Sequence, residues 1–257
     1  MSEDLNSGTV GGFGHMGSND PYNDGAGGYA GSGGNSGNHD AGSSVSSSMP
    51  TFGTITGKHP IEVYATKDIG QADITAVVNN IILHEGARNT MYMDTTGHVT
   101  VGIGRMLPSA AAGYNLGFTK THHIPRGHGD SEDVEETASH ADIDAAFNAA
   151  KTHTYSNVHL SDQLMVADCV KTIETDRATL RTMYSDFDHF PQSAKTALHD
   201  MIYNLGASKL KSEFPNFNAA VNRKDWPTAA AESHRTGIGD SRNKDTFNQF
   251  TNATSGH

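Results

Sequence analysis

One cysteine, Cys169, and one tryptophan, Trp226, stand in a chain of 257 residues. A single thiol excludes an internal disulfide framework and any site built on several cysteines. Positive charge is also scarce: 18 lysines and arginines face 29 aspartates and glutamates, a net charge of −11. That balance argues against a nucleic-acid binder, which shows a basic patch or stripe, and against attachment to anionic lipid. No apolar run reaches the ~18 residues of a membrane span. Met1-Ser2-Glu3-Asp4 lacks the basic region and apolar stretch of a secretory leader. The sequence therefore predicts synthesis in the cytoplasm, with any action outside it depending on some other carrier.

Glycine is abundant but unevenly spread. Of 28 glycines, 13 fall in the first 50 residues beside 10 serines, with no lysine or arginine and almost no aliphatic side chain. Such a stretch buries too little apolar surface to offset its ordering entropy. A disordered Gly/Ser/Asn-rich segment is expected over 1–55, serving as a linker or as a translocation or secretion region. A single folded domain is then expected over 56–257. Five acids lie in the tail, which leaves 24 acidic against 18 basic residues in the remainder.

Within that remainder, Ile74, Val77, Val78, Ile81 and Ile82 recur at helical spacing. Asp73 suits the helix start and Gly86 its end. Residues 91–101 carry β-prone side chains on both sides of a polar turn, a hairpin signal. Residues 108–133, rich in glycine and histidine, read as loop with short structure. Helical spacing then returns near 139–152, 161–183, 191–205, 215–222, 225–234 and 241–250, with Gly206 as a helix-ending glycine. The expected class is α+β, a small hairpin lobe and a larger helical lobe.

Three residues suggest chemistry. Glu85 ends the first helix, Asp94 sits in the hairpin turn and Thr100 lies on the second strand. Two acids across a cleft suit glycoside cleavage: one donates a proton to the leaving oxygen, the other activates water. Ile82 and Leu83 are expected to surround Glu85 with apolar atoms. Asp94, beside Thr95 and Thr96, is expected to stay ionised, and Thr100 to help hold the water. Spacing alone is a weak signal, since an acid at a solvated helix end and an aspartate folding its own turn are common.

The run Ile82-Leu83-His84-Glu85-Gly86, Tyr92-Met93-Asp94-Thr95-Thr96-Gly97 and Val99-Thr100-Val101-Gly102-Ile103-Gly104 resembles the active-site segment of the T-even phage lysozyme family. Met201-Ile202-Tyr203-Asn204-Leu205-Gly206 is similar to that family's far cleft wall. Arg235-Thr236-Gly237-Ile238-Gly239-Asp240-Ser241-Arg242-Asn243 is similar to the closing segment of its pesticin-like branch. The resemblance implies a lysozyme-like fold and a muramidase acting on bacterial peptidoglycan strands. It needs no cofactor and no metal. Glu85 is then the general acid, Asp94 the carboxylate that activates water, and Thr100 its helper. Inversion at the anomeric carbon is implied, with carboxyls roughly 6.5–9.5 Å apart. Gly102, Gly104, Met106, Tyr203 and Asn204 are implied to line the sugar cleft, and Arg105 to be an ion-pair partner. The setting stays open between an antibacterial toxin or bacteriocin, a secretion-machine effector and a phage endolysin. An immunity protein or delivery machinery is a possible partner, and the site of action a target bacterium's periplasm or wall. A non-catalytic wall-binding module is the rival class.

Other features read as structural. His122, His123 and His128 form the densest histidine cluster without ligand spacing, so they read as loop residues. His84 reads as surface, Cys169 and Trp226 as core, and the acids from Asp130 to Glu136 as a solvated loop and helix start.

Overall fold

The computed structural model describes residues 66–67, 69–126 and 130–254, with two short strands, β1 (Thr51–Phe52) and β2 (Ile61–Glu62), paired antiparallel. Of the segment expected to be disordered over 1–55, residues 1–50 and 53–55 lie outside the described residues, as does the boundary at 55/56, while Thr51–Phe52 forms strand β1.

The first long element is α1 (Gln71–Glu85), where the sequence predicts it. Ile74, Val77, Val78 and Ile81 form one stripe, each at most 2% exposed. Burying such side chains contributes about 1.5–3 kcal/mol apiece. Gly86, at φ 68°, ends the helix and returns its N–H to the Ile82 carbonyl at 2.9 Å. The stop leaves Glu85 as the last helical residue.

The chain then builds β3 (Arg88–Met93), β4 (Val99–Gly102) and β5 (Arg105–Leu107) as an antiparallel meander. A bulge between Arg88 and Tyr92 shifts the register of β3 against β4. Beyond it Tyr92 lies opposite Thr100, and Thr100 opposite Met106, so these three side chains form one row.

The sheet is larger than the small hairpin the sequence predicts. It has six strands in the order β5-β4-β3-β8-β6-β7, adding β6 (Thr119–Arg126), β7 (Asp130–Thr137) and β8 (Val158–His159). Within the stretch expected as loop with short structure, Thr119–Arg126 is a strand, and so is the acidic run Asp130 to Glu136, expected as loop and helix start; the residues between Pro108 and Phe118 remain irregular apart from one short turn of helix. The ribbon lacks the apolar alternation that marks a half-buried strand, since every residue of β7 is exposed. Backbone pairing of β6 with β7 builds it, and polar side chains pair across the strands: His122 with Glu136, His123 with Asp133, and Arg126 with Glu132. Thr121 also donates to Glu135 at 2.7 Å.

Helices follow: α2 (His140–Lys151), α3 (Asp162–Met183), α4 (Gln192–Glu213), α5 (Pro215–Asn222), α6 (Trp226–Glu232) and α7 (Asp240–Ala253). Ser139 and Asp142 cap α2 reciprocally. Gly206, at φ 74°, breaks α4 as expected of a terminating glycine, yet helical structure resumes beyond it. Among the described residues, the fold is α+β with two hydrophobic cores. One joins α1, the sheet, α2 and the first half of α3. The other joins the end of α3 to α4–α7. Helix α3 therefore runs from one lobe to the other. Trp226 sits in the second core, edge-on to Phe190 at 5.0 Å, and Cys169 in the first, 2% exposed. Among the described residues, no helix is long and apolar enough to cross a membrane.

Candidate active site

Asp94 is held by its own turn. Its Oδ1 accepts from the Thr96 N–H at 2.9 Å, the Thr96 hydroxyl at 2.8 Å and the His98 N–H at 2.8 Å. Its Oδ2 accepts from the Thr100 hydroxyl at 3.2 Å. Burial pushes this carboxyl up, but the hydrogen bonds from His98, Thr96 and Thr100 outweigh it and leave the group below the ordinary aspartate value. Asp94 is therefore a carboxylate at neutral pH, fit to orient or deprotonate water.

Glu85 is held from farther along the chain. Its side chain is 4% exposed, and Oε1 lies 2.8 Å from Arg242 Nη1 on α7. The expected apolar surroundings are only partly present, because Leu83 points to solvent, 72% exposed. On the other side stands Gly104, at φ +66°. A Cβ there would lie 3.0 Å from Glu85 Oε2 and 3.3 Å from its Cδ. Gly104 thus lets the backbone close over the carboxyl, and no other residue both fits the space and accepts the dihedral without strain.

Arg242 bridges two acids. Its Nε and Nη2 donate to Asp200 Oδ1 on α4 at 3.0 and 2.7 Å. Asp200 Oδ2 accepts from Arg235 Nη2 at 2.6 Å and Thr246 Oγ1 at 3.1 Å. Burial alone would raise the Asp200 carboxyl, but Arg242 and Arg235 hold it below its usual value. Asp200 and Arg235 are each 1% exposed. Removing one partner of such a buried pair costs about 3–5 kcal/mol.

Tyr92 feels both acids. Burial pushes its phenol up to about 12; the charges of Glu85 and Asp94 both add to that, and Arg88 opposes it. The Arg88 guanidinium sits over its ring, 4.5 Å from the centroid. The same turn system reaches both acids, since Thr100 binds Asp94 and Gly104, just past β4, covers Glu85. Glu85, Asp94 and Thr100 therefore meet around one patch.

The other expected residues divide. Met106 is half-buried in the Tyr92–Thr100 row. Gly102 is buried, with Met165 behind it at 3.7 Å from an added Cβ. Tyr203 is 6% exposed and donates to the Ile103 carbonyl at 2.6 Å. Asn204 Oδ1 accepts from Arg235 at 3.3 Å. The polar groups of Tyr203 and Asn204 are thus engaged inside the protein. Arg105 lies 3.6 Å from Asp168 and ties β5 to α3. His84 is not a surface residue: its side chain is 8% exposed and its Nε2 lies 3.0 Å from Asp245 Oδ2. Helix α7 covers it. Sequence reasoning missed Tyr92, Arg242, Asp200 and Arg235 as site residues. The available signal was an aspartate inside the apolar run from Ala197 to Leu205, which a fold buries only with a cation.

Comparison with known proteins adds one match. The chain is 27% identical over 151 residues to "Probable T4-type lysozyme 2" from Dictyostelium discoideum. The alignment covers 58% of this chain and 75% of that protein. It supports distant similarity to T4-type lysozymes and does not extend to the pesticin-like branch. No family model matches the chain.

Proposed function

We propose that this chain is a peptidoglycan hydrolase, cleaving the β-1,4 bond between N-acetylmuramic acid and N-acetylglucosamine. The observation that carries it is the pair of unlike carboxyl groups about Tyr92, one pinned by an arginine and one by a local cage. The similarity to a T4-type lysozyme supports the same reaction class.

Glu85 gives its proton to the glycosidic oxygen as the bond to the anomeric carbon breaks. Arg242 stabilises the carboxylate that remains, which favours the transition state over the ground state. Water oriented by Asp94 and Thr100 attacks the opposite face of the sugar, and Asp94 takes its proton. The product is inverted at that carbon. Met106 and the backbone at Gly102 and Gly104 would border the glycan; Tyr203 and Asn204 would support that wall from behind. Both acids are largely covered here, with Asp94 10% and Glu85 4% exposed at the side chain. Access then requires the lobes to part about α3.

The biological role we favour is an antibacterial toxin delivered to a target's wall, over a phage endolysin. The net charge of −11 suits delivery better than electrostatic steering to an anionic envelope. A wall-binding module without catalysis would have little use for an acid with so specific a setting. The test is turbidity loss of purified peptidoglycan, followed by mass analysis of fragments. Reducing N-acetylmuramic acid ends from the wild type and none from Glu85→Gln support the assignment. Equal clearing by both removes Glu85 from the acid role, and anhydro ends indicate a transglycosylase instead. Removing residues 1–50 tests the setting: intact clearing of isolated wall with loss of cell killing supports delivery.

A further inference from the structure

Asp200 and Arg235 are each 1% exposed, and the reaction above assigns them nothing. Their arrangement is nonetheless specific. Both oxygens of Asp200 are occupied, Oδ1 by Arg242 and Oδ2 by Arg235 and Thr246. Arg235 is anchored in turn, because Asn243 Oδ1 accepts from its N–H and Asn243 Nδ2 donates to its carbonyl, each at 2.9 Å. Its Nη1 reaches the Asp200 carbonyl at 3.3 Å. Arg242 commits Nε and Nη2 to Asp200, and the Nη1 arm is left facing Glu85.

Charge counting explains why two arginines are needed. With Asp200 and Arg242 alone, the cation behind Glu85 would be neutralised by its own support. Arg235 adds the second positive charge, so the buried cluster behind Glu85 carries a net +1. That single charge matches one carboxylate. We propose that Asp200 and Arg235 are positioning residues for Glu85: Asp200 fixes the Arg242 guanidinium, and Arg235 cancels Asp200 so that Arg242 presents an uncompensated positive edge to the acid. The proposal rests on Glu85 being the proton donor of a glycan hydrolase.

Other groups also face Glu85. Tyr92 from β3, Tyr203 from α4 and Cys169 from α3 all bear on it, and burial pushes each of them up, so they stay neutral across the working range. Asp94 also acts on Tyr92 and is a constant carboxylate above the acid range. His84, the neighbour on α1, is paired with Asp245. Arg105 and Asp168 pair with each other. The groups that set the charge balance at Glu85 are therefore Arg242, Arg235 and Asp200.

The signs follow from electrostatics. Arg235→Met leaves Asp200 with one cation, weakens the positive edge and disfavours the Glu85 carboxylate. Asp200→Asn leaves two cations and favours it. Arg235→Lys keeps the charge and loses the fork. The experiment labels glutamate carboxyls with carbon-13 in the full chain, assigns Glu85 by Glu85→Gln, and titrates wild type and variants. Clearing of purified peptidoglycan is measured over the same pH range. The expected result is a Glu85 midpoint about half a pH unit or more higher in Arg235→Met, lower in Asp200→Asn and close to wild type in Arg235→Lys. The alkaline limb of the activity profile should move with each. Shifts in the same direction, or none, overturn the proposal. If Asp200→Asn does not fold, the Arg235 pair decides: equal shifts in Met and Lys variants overturn it, and lysine rescue supports it. Should the wild type clear no peptidoglycan, the hydrolase assignment falls, while the carboxyl titration still decides whether the charge cluster governs Glu85.

Discussion

The two acids of the site are built in opposite ways. Asp94 is fixed by residues at most six positions away, through hydrogen bonds from Thr96, His98 and Thr100. Glu85 is fixed by α7 and α4, through Arg242 and Asp200, and by the backbone at Gly104. The local cage needs only the hairpin to form. The distant one needs α1, α4 and α7 to be packed before the carboxyl has its partner. A local cage stabilises a constant charge, which suits a group that must remain ionised. In the proposed mechanism, a tertiary setting lets the fold control the group that first holds a proton and then releases it.

The sharpest way to break this comparison is at the acids themselves. Glu85→Gln should lower peptidoglycan clearing by about 10²–10⁴-fold, the usual contribution of general acid–base catalysis. The variant should keep its helical circular dichroism. A residual rate near wild type would place the proton donor elsewhere.

Next comes the glycine over Glu85. Gly104→Ala places a methyl group 3.0 Å from Oε2 at a positive φ. We expect a stability loss of about 1–3 kcal/mol in thermal unfolding, the range for a non-glycine residue in a strained dihedral, with a reduced clearing rate. Unchanged activity would mean that Glu85 is not confined from this side.

The cage around Asp94 should yield less. Thr96→Val removes one hydroxyl donor and leaves the backbone donors, so about 1 kcal/mol is expected. The pH dependence has a definite sign. Hydrogen bonding holds Asp94 below its unfolded value, so its contribution to stability is present above the ordinary aspartate range. It is lost as the pH falls through the depressed value. In Thr96→Val that loss should be smaller and complete at a higher pH, and the acid limb of the activity profile should move up with it. Unfolding and rate profiles between about pH 2 and 6 read both.

The smallest effect is expected far from both acids, in the β6–β7 ribbon. His122→Ala breaks an exposed pair with Glu136. Exposed pairs contribute about 0–1 kcal/mol, so the melting temperature should hardly move. A large drop would show that the ribbon supports the cleft lobe.

How far the sequence could be read follows from the range of each interaction. The stripe on α1, its glycine stop and the turn at Asp94 are local patterns, and all were visible in the order of residues. The β6–β7 ribbon was not, because no core face imposes alternation on it. His84 was misplaced for a tertiary reason, since helix α7 covers a position that α1 alone would leave in water. Gly104 was legible as a special position, though what it makes room for, the Glu85 carboxyl, was not.

By its order alone, the chain determined where helix α1 ends, which residue occupies that end and how Asp94 keeps its charge, because each depends on neighbours within a turn or two. Only the folded molecule decided what stands behind Glu85. Arg242, Asp200 and Arg235 come from distant segments, and their charges are strong only because packing removes water from around them.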